Sequence, residues 1–215
     1  MKFKYIISVF ILLFISEYSY TQVKIDLSVG TGISFFKEYS ITKQNNDILS
    51  APLLFNVDAS VRIFHKKIFG KVGIASKYNI VSESNIESNY SNNGFVLGLG
   101  RRFYLFDDYF FDFSFGYIYQ MMSVNTYITN STVMINSNNI AIRDGVNLLN
   151  INKYAHGLYF ELGLKTIDNL FITVFSELDL SKSKWNSLNG HLIDLEDDYL
   201  NFLGVKLLYN INIKS

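Results

Sequence analysis

Apolar and polar residues alternate along this sequence in long, regular segments, and this alternation limits what the chain can fold into. In "YFFDFSFGYIY", residues 109–119, every odd position is aromatic, whereas Asp112, Ser114 and Gly116 lie between them. Successive side chains of a β-strand point to opposite faces. A strand here would have one entirely aromatic face, which requires either a protein core or the hydrocarbon of a bilayer as its surroundings.

The same alternation is found in eight segments of the chain. They are residues 23–36, 53–64, 68–80, 94–105, 109–122, 156–165, 170–180 and 199–213. Strands of soluble proteins usually run for about five or six residues, whereas a tilted strand that crosses a bilayer needs about nine to eleven. The length of these segments therefore predicts eight strands that could each cross a membrane.

The connections between these segments alternate in length. Residues 37–52, 82–93, 123–155 and 181–198 form long connections, and residues 65–67, 106–108 and 166–169 form short ones. Outer-membrane barrels have short periplasmic turns and long extracellular loops. An even strand number also lets the first strand pair with the last, which leaves no open edge in lipid. The sequence predicts an all-β, eight-stranded antiparallel up-and-down transmembrane β-barrel.

Composition and the first residues fit an exported single-domain chain. The 215 residues carry no formal net charge and no cysteine, which argues against nucleic-acid binding, a disulfide framework and a cysteine nucleophile. Residues 1–21 have the basic start, the short apolar run and the small residues near the cleavage point that are typical of a secretory signal. We expect cleavage before Gln22, so that residues 22–215 form the barrel domain.

The inward face of the expected barrel carries charges of both signs. Over all segments they are Lys24, Asp26, Asp58, Arg62, Lys71, Lys77, Arg102, Asp112, Glu161, Lys165, Glu177, Asp179 and Lys206. The lumen of an eight-stranded barrel is just wide enough to be filled by side chains, and an isolated buried charge is costly. We therefore expect a charge network that fills the lumen. Arg102 and Asp112 lie at equal distances from the turn between their strands, so they should form a cross-strand pair.

These features resemble those of the small outer-membrane β-barrel superfamily of the OmpA type, and of the "outer membrane protein beta-barrel domain" proteins common in Bacteroidota. The resemblance rests on the signal segment, the strands "VGTGISF" and "LGLGRRFYL", the hairpin partner "DDYFFDFSFGY" and the closing strand "FLGVKLLYNINI". It covers nearly all of the mature chain and implies insertion in the outer membrane. It does not imply one activity, because one fold hosts many functions.

The longest connection, residues 123–155, suggests an interaction surface. Its stretch "TVMINSNNIAI" is typical of two short strands around a turn, which would protrude from the wall or extend the barrel to ten strands. Exposed apolar side chains of this kind either pack on one another or meet a partner. The candidates for partner contact are Val133, Met134, Ile135, Ile140, Ile142 and Trp185.

Two aromatic girdles are also expected at the ends of the strands. The outer girdle would contain Trp185, Tyr199, Tyr154 and Tyr78, and the inner one Tyr109, Phe103 and Tyr209.

Catalysis is not predicted. His156 is placed at the expected outer rim, where a Ser–His–carboxylate arrangement could act on lipids. No serine lies two residues from His156 on its face of the strand, and Glu161 should point to the opposite side. We expect no catalytic residue, cofactor or metal site.

The sequence as a whole predicts a non-enzymatic outer-membrane barrel with a filled polar lumen. Its long extracellular loops would give it a structural or interaction role, as part of an envelope or secretion assembly. Expected partners are outer-membrane lipid, lipopolysaccharide and a protein at the extracellular loops, and no nucleic acid. A narrow channel for small solutes is the alternative if the lumen charges are hydrated, and a lipid-modifying enzyme at the rim ranks third. A soluble secreted β-sandwich is the structural alternative.

Overall fold

The structure, a computed structural model, consists of β-strands and their connections. It describes residues 23–36, 53–83, 86–106, 109–128, 132–135, 138–141, 146–187 and 199–213, and the predicted signal segment lies outside these described residues. The strands are β1 (Val23–Phe36), β2 (Leu53–His65), β3 (Ile68–Glu83), β4 (Ile86–Tyr104), β5 (Phe110–Ile128), β6 (Thr132–Ile135), β7 (Asn138–Ala141), β8 (Val146–Ile167), β9 (Leu170–Asp179), β10 (Asn186–Ser187) and β11 (Phe202–Ile213). Among the described residues there is no helix of sufficient length and apolar character to cross a membrane.

Eight of these strands form a closed ring. Neighbours pair antiparallel in the order β1–β2–β3–β4–β5–β8–β9–β11, and β11 pairs back onto β1 from Ile213 opposite Ile25 to Phe202 opposite Phe36. Because the first and last strands close the ring, neither leaves an open edge. The predicted eight-stranded up-and-down barrel is confirmed, and the alternative of a two-sheet sandwich is wrong.

The three remaining strands lie outside this ring. β6 and β7 pair only with each other, as the predicted hairpin, so the hairpin does not extend the barrel to ten strands. β10 pairs with β8 at Asn152 and Ile151, beyond the point where β9 ends opposite Gly157. It therefore continues the wall above the end of β9.

Three connections at one end of the ring are tight, as predicted. β2 and β3 are joined by Lys66 and Lys67, and Lys66 adopts the left-handed backbone conformation with φ of 56°. Between β4 and β5, the backbone N–H groups of Leu105 and Phe106 both donate to the carbonyl oxygen of Tyr109. We call this end of the barrel the short-turn end and the opposite end the long-loop end.

The wall at the long-loop end is taller than the sequence indicates. The expected long loop at residues 82–93 is wrong, because β3 continues to Glu83 and β4 begins at Ile86. Similarly, β5 continues to Ile128 and β8 begins at Val146, both within the expected connection 123–155. The outward side chains of these extensions are mostly polar, so the sequence does not show the apolar alternation that marks the rest of each strand.

The outer surface of the ring is apolar on every strand. Exposed outward side chains include Val29, Val57, Ile74, Leu97, Tyr117, Leu162, Ile172 and Leu207, one from each of the eight strands. Tyr78, Tyr119 and Tyr154 are exposed toward the long-loop end, and Phe103, Tyr109 and Tyr209 toward the short-turn end. A continuous apolar belt of this size is far larger than the patches that soluble monomers expose, and it matches the lipid-facing band and aromatic girdles of a membrane barrel.

Candidate functional site

At the short-turn end, two arginines and two aspartates fill the lumen. Arg102 on β4 donates from Nε and Nη2 to the two carboxylate oxygens of Asp112 on β5, at 2.8 and 2.9 Å. Arg62 reaches across from β2 and donates from Nη1 to Asp112 at 2.9 Å, while its Nη2 lies 3.6 Å from Asp26. The predicted cross-strand pair of Arg102 and Asp112 is present. We call Asp26, Arg62, Arg102 and Asp112 the arginine layer.

Aromatic rings surround the arginine layer, which the sequence did not indicate. The Arg102 guanidinium carbon lies 3.8 Å from the ring centroid of Phe110 and 4.7 Å from that of Phe64. The rings of Phe64 and Phe69 lie 4.8 Å apart, and Arg62 is 5.5 Å from each. These cation–π contacts replace part of the hydration that a buried guanidinium loses. The sequence contains one feature that could have indicated this contact. Phe64 follows Arg62 by two residues, so both side chains lie on the inward face of the same strand.

In the middle of the barrel, two lysines bind two carboxylates and a tyrosine. Lys71 donates from Nζ to both oxygens of Glu161 at 2.7 and 2.8 Å, and Lys206 Nζ lies 2.7 Å from the same carboxylate. Lys206 also pairs with Asp58. The hydroxyl of Tyr159 donates to Glu161 and accepts from both lysines at 3.1 Å. We call these five residues the lysine layer, and its two positive and two negative charges balance.

A further ion pair lies nearer the long-loop end. Lys77 Nζ is 2.8 Å from Glu177 Oε2, and the two side chains are 0% and 1% exposed. The ammonium lies 4.5 Å from the ring centroid of Phe202. On the same side, Asn92 donates to Gln120 at 3.1 Å, and Gln120 donates to the carbonyl oxygen of Leu200 at 3.1 Å. Lys77 and Glu177 both belong to the set of charged residues that the sequence predicts on the inward face.

An apolar cap closes the lumen at the long-loop end. Its buried members are Phe36, Leu54, Tyr90, Met122, Val124, Leu149, Ile151, Ala155, Trp185, Leu200 and Phe202. The rings of Phe36 and Phe202 stack at 5.2 Å. The cap lies above the charged layers, so a solute that entered from the long-loop end would meet packed hydrocarbon before it met any of these layers.

Trp185 is part of this cap, which corrects the prediction that it contacts a partner or lies in the outer girdle. Its side chain is only 8% exposed and packs within the cap, with Lys153 Nζ 5.5 Å from the ring. The segment that precedes β10 returns over the mouth of the barrel, and pairing of β10 with β8 directs Trp185 inward. Trp185 lies between two alternating segments, so no pattern in the sequence indicated its direction.

The other charged positions lie at the two ends of the lumen. Lys165 lines an open vestibule of ≈ 490 Å³ at the short-turn end, together with Lys24, Asp168 and Asn212, and the vestibule stops at Arg102. Asp179 accepts from the backbone N–H of Leu200 at the long-loop end. Beside the lysine layer there is a cavity of ≈ 10 Å³, which holds about one water molecule at most.

The remaining partner candidates lie in or beside the β6–β7 hairpin. Val133, Met134 and Ile135 belong to β6 and Ile140 belongs to β7, with Val133 opposite Ile140. Ile142 lies outside the described residues. The hairpin is therefore present at the long-loop end, and its role in partner contact stays a prediction.

The histidines do not form a catalytic arrangement in the described part of the protein. His156 is exposed on the outer surface, where its ring stacks on Tyr117 at 6.3 Å. Glu161 lies inside the lumen and is bound by two lysines. His65 is exposed at the short-turn end, and His191 lies outside the described residues. As expected from the alternation, Glu161 and His156 lie on opposite faces of β8.

A closed ring of antiparallel strands with an apolar outer belt and a paired polar interior defines an integral outer-membrane β-barrel. The protein is of this class, and lipid of the outer membrane covers its belt. In barrels of this class the short-turn end faces the periplasm and the long-loop end faces outward.

Solved structures with a similar fold come from several bacteria. Ail, the attachment invasion locus protein of Yersinia pestis, has a TM-score of 0.47 and 12% identity, and the match covers 89% of this chain and 100% of that one. A major outer membrane protein of Thermus thermophilus has a TM-score of 0.44 and 10% identity, with 89% and 100% covered. Neisserial surface protein A has a TM-score of 0.39 and 6% identity, with 87% and 96% covered. At these identities the likeness concerns the fold alone. The sequence matches no protein-family model and no curated protein.

Proposed function

We propose that this protein is a sealed, non-conducting barrel that mounts an interaction surface at its long-loop end. The observation that carries the proposal is the closure of the lumen in series. The arginine layer, the lysine layer, the Lys77–Glu177 pair and the apolar cap follow one another from the short-turn end to the long-loop end. A protein with this interior does not pass solutes, so its function lies at its outer end.

The ion pairs join opposite walls of the barrel, which makes the closure stiff. Arg62 on β2 binds Asp112 on β5. Lys71 and Lys77 on β3 bind Glu161 on β8 and Glu177 on β9, respectively. None of these paired strands are neighbours in the ring. An uncompensated charge left in the place of a buried pair costs about 3–5 kcal/mol, and a continuous path through the lumen would require several pairs to separate together.

Conductance of the purified protein in planar bilayers tests the sealed lumen. We expect no current steps above those of protein-free bilayers, with a general porin in the same bilayers as the positive control. The channel alternative requires hydrated charges along the lumen. Current steps whose size changes in Arg102→Gln or Asp112→Asn would establish that alternative and overturn the sealed barrel.

In this interaction role, the β6–β7 hairpin contacts another protein of the cell envelope or of a secretion assembly. The natural chain has no cysteine, so a single introduced cysteine is a unique attachment point for a photo-crosslinker. Ile140→Cys in β7 is expected to give a discrete cross-linked species in intact cells. Lys66→Cys, at the short-turn end, is the matched control and should give none of that species. Absence of any adduct from Ile140→Cys would contradict a role for the hairpin.

A further inference from the structure

Above the outer tyrosines, toward the long-loop end, the outward side chains of the barrel change from apolar to mostly polar. On β4, Phe95 is followed toward the long-loop end by three uncharged polar outward residues, and β8 changes in the same way beyond Tyr154. On β5, Met121 follows Tyr119 before the outward positions become polar, and Tyr127 lies beyond them. The polar residues are Asn89, Ser91 and Asn93 on β4, Ser123 and Asn125 on β5, and Asn150 and Asn152 on β8. We call these seven residues the amide face.

The strand register arranges the amide face in rows. Asn89 lies opposite Asn125, which in turn lies opposite Asn150. One step closer to the belt, Ser91 lies opposite Ser123, and Ser123 lies opposite Asn152. Neighbouring strands are about 4.8 Å apart, so each row places amide or hydroxyl groups at short intervals across three strands, although Asn152 is only 9% exposed.

This face has hydrogen-bonding groups that the fold does not use. The Oδ1 atoms of Asn89, Asn125 and Asn152 accept no hydrogen bond from any residue that the structure describes. Buried polar groups in proteins are nearly always satisfied, so rotation of these amides toward an outside donor would be favourable. The face is also nearly free of charge, because Glu87 is the only charged residue among the described outward positions of β4, β5 and β8 above the tyrosines.

The position of the amide face identifies what lies against it. The face continues the lipid belt without a break past Tyr119 and Tyr154, whose rings stack at 6.4 Å, and tyrosines of such girdles lie at the headgroup level. The groups beside it are therefore the headgroups of the outer leaflet. A phosphate would call for arginine or lysine. A protein partner would call for aromatic or arginine anchors at the centre of the face, whereas Tyr127, the one aromatic residue among the described outward positions above the tyrosines, lies at the edge opposite Glu87. Amides and hydroxyls instead match the uncharged hydroxyls of a sugar, which both donate and accept.

We infer that the amide face binds the core saccharide of the outer-leaflet glycolipid that surrounds the barrel. The inference rests on the proposed function only in that the long-loop end is the interacting end. The bound sugars would fix the orientation of neighbouring glycolipids around the tall wall formed by β4, β5 and β8. The β6–β7 hairpin would then stand clear of the lipid surface.

The test uses the purified full chain in detergent and two probes. These are a lipopolysaccharide with core sugars and lipid A, which retains the acyl chains, the phosphates and the glucosamine disaccharide but lacks the core. In the variant Ser91→Ala/Asn125→Ala/Asn150→Ala, we expect about tenfold weaker binding of the lipopolysaccharide, from the loss of several hydrogen bonds. Lipid A should bind the variant and the natural protein equally. The matched control is Asn169→Ala/Asn212→Ala, which removes an exposed amide pair joined at 3.3 Å at the short-turn end and should change neither affinity.

Two outcomes would overturn the inference. One is unchanged binding of lipopolysaccharide by the triple variant. The other is an equal loss of affinity for lipid A, which would assign the effect to the acyl chains, the phosphates or the glucosamine disaccharide and not to the core sugars. Heat-modifiable gel mobility checks that each variant is folded. If the triple variant does not fold, Asn125→Ala replaces it, with an expected loss of about two- to threefold. A negative result for glycolipid binding would not bear on the proposal of a sealed lumen, because conductance tests that proposal separately.

Discussion

The guanidinium of Arg102 and the carboxylate of Asp112 form two parallel hydrogen bonds, at 2.8 and 2.9 Å, between register partners of the β4–β5 hairpin. The guanidinium also stacks over Phe110 at 3.8 Å. Among side chains, only arginine has a planar cation that forms two parallel hydrogen bonds to a carboxylate and also stacks on an aromatic ring. The pair therefore fixes the hairpin in register at the end where the barrel opens to the periplasm.

Replacement of Arg102 by lysine should destabilise the barrel although it preserves the charge. Lysine would lose one of the two hydrogen bonds and the stacking on Phe110. We expect a decrease of about 1–3 kcal/mol in the free energy of unfolding. The measurement is urea-induced unfolding in lipid vesicles. Lys184→Arg, an exchange of the same two cations at an exposed position after β9, is the control and should stay within about 0.5 kcal/mol. Equal effects of the two substitutions would show that the forked geometry is unimportant.

The Lys77–Glu177 pair should behave as a buried pair in a double-mutant cycle. Lys77→Met and Glu177→Leu each leave one uncompensated charge in a site where both side chains are almost fully buried. Each single variant should lose about 3–5 kcal/mol of unfolding free energy, whereas the double variant should be close to the natural protein. Unfolding in vesicles gives the three values. Additive losses in the double variant would mean that the two side chains act independently, contrary to the 2.8 Å contact.

Several features of this interior could be read from the sequence and others could not. The Arg102–Asp112 pair follows from equal spacing about a turn, because a hairpin makes such residues register partners. Membership of the lysine layer follows from alternation. The contacts within it do not, because the stagger of the closed sheet decides that Lys71 meets Glu161 on a distant strand. The local sequence pattern therefore does not show which residues of distant strands meet inside the closed barrel.

The long-loop end shows a second limit of the sequence pattern. Alternation of apolar with polar residues exists where lipid touches one face of a strand. In residues 86–93 the inward side includes Ser88, Tyr90 and Asn92, and the outward side is also polar. The segment therefore looks like a loop although it forms part of β4. Trp185 was misplaced for a related reason, because it lies in a short segment without any periodic pattern.

The fluorescence of Trp185 should report the apolar cap directly, because it is the only tryptophan in the chain. In the folded barrel we expect little quenching by aqueous acrylamide and little by brominated lipid, since the ring is 8% exposed and packs inside the lumen. Trp185→Phe/Tyr119→Trp is the matched control, because Tyr119 faces the lipid and a tryptophan there should be quenched strongly by brominated lipid. Strong lipid quenching of Trp185 itself would return it to the outer girdle and remove it from the cap.

Trypsin treatment of intact cells should cut the protein only at its long-loop end. Lys182 and Lys184 are exposed in the segment after β9, whereas Lys66 and Lys67 form the turn at the short-turn end. Because short turns face the periplasm, trypsin added outside should cleave after Lys182 or Lys184 and leave the turn intact. The turn should become accessible only after the outer membrane is permeabilised. Fragment masses identify the sites, and unboiled samples should still migrate as a compact species, since ladder pairing on both sides holds the fragments together. Cleavage at Lys66 in intact cells would reverse the orientation assigned here.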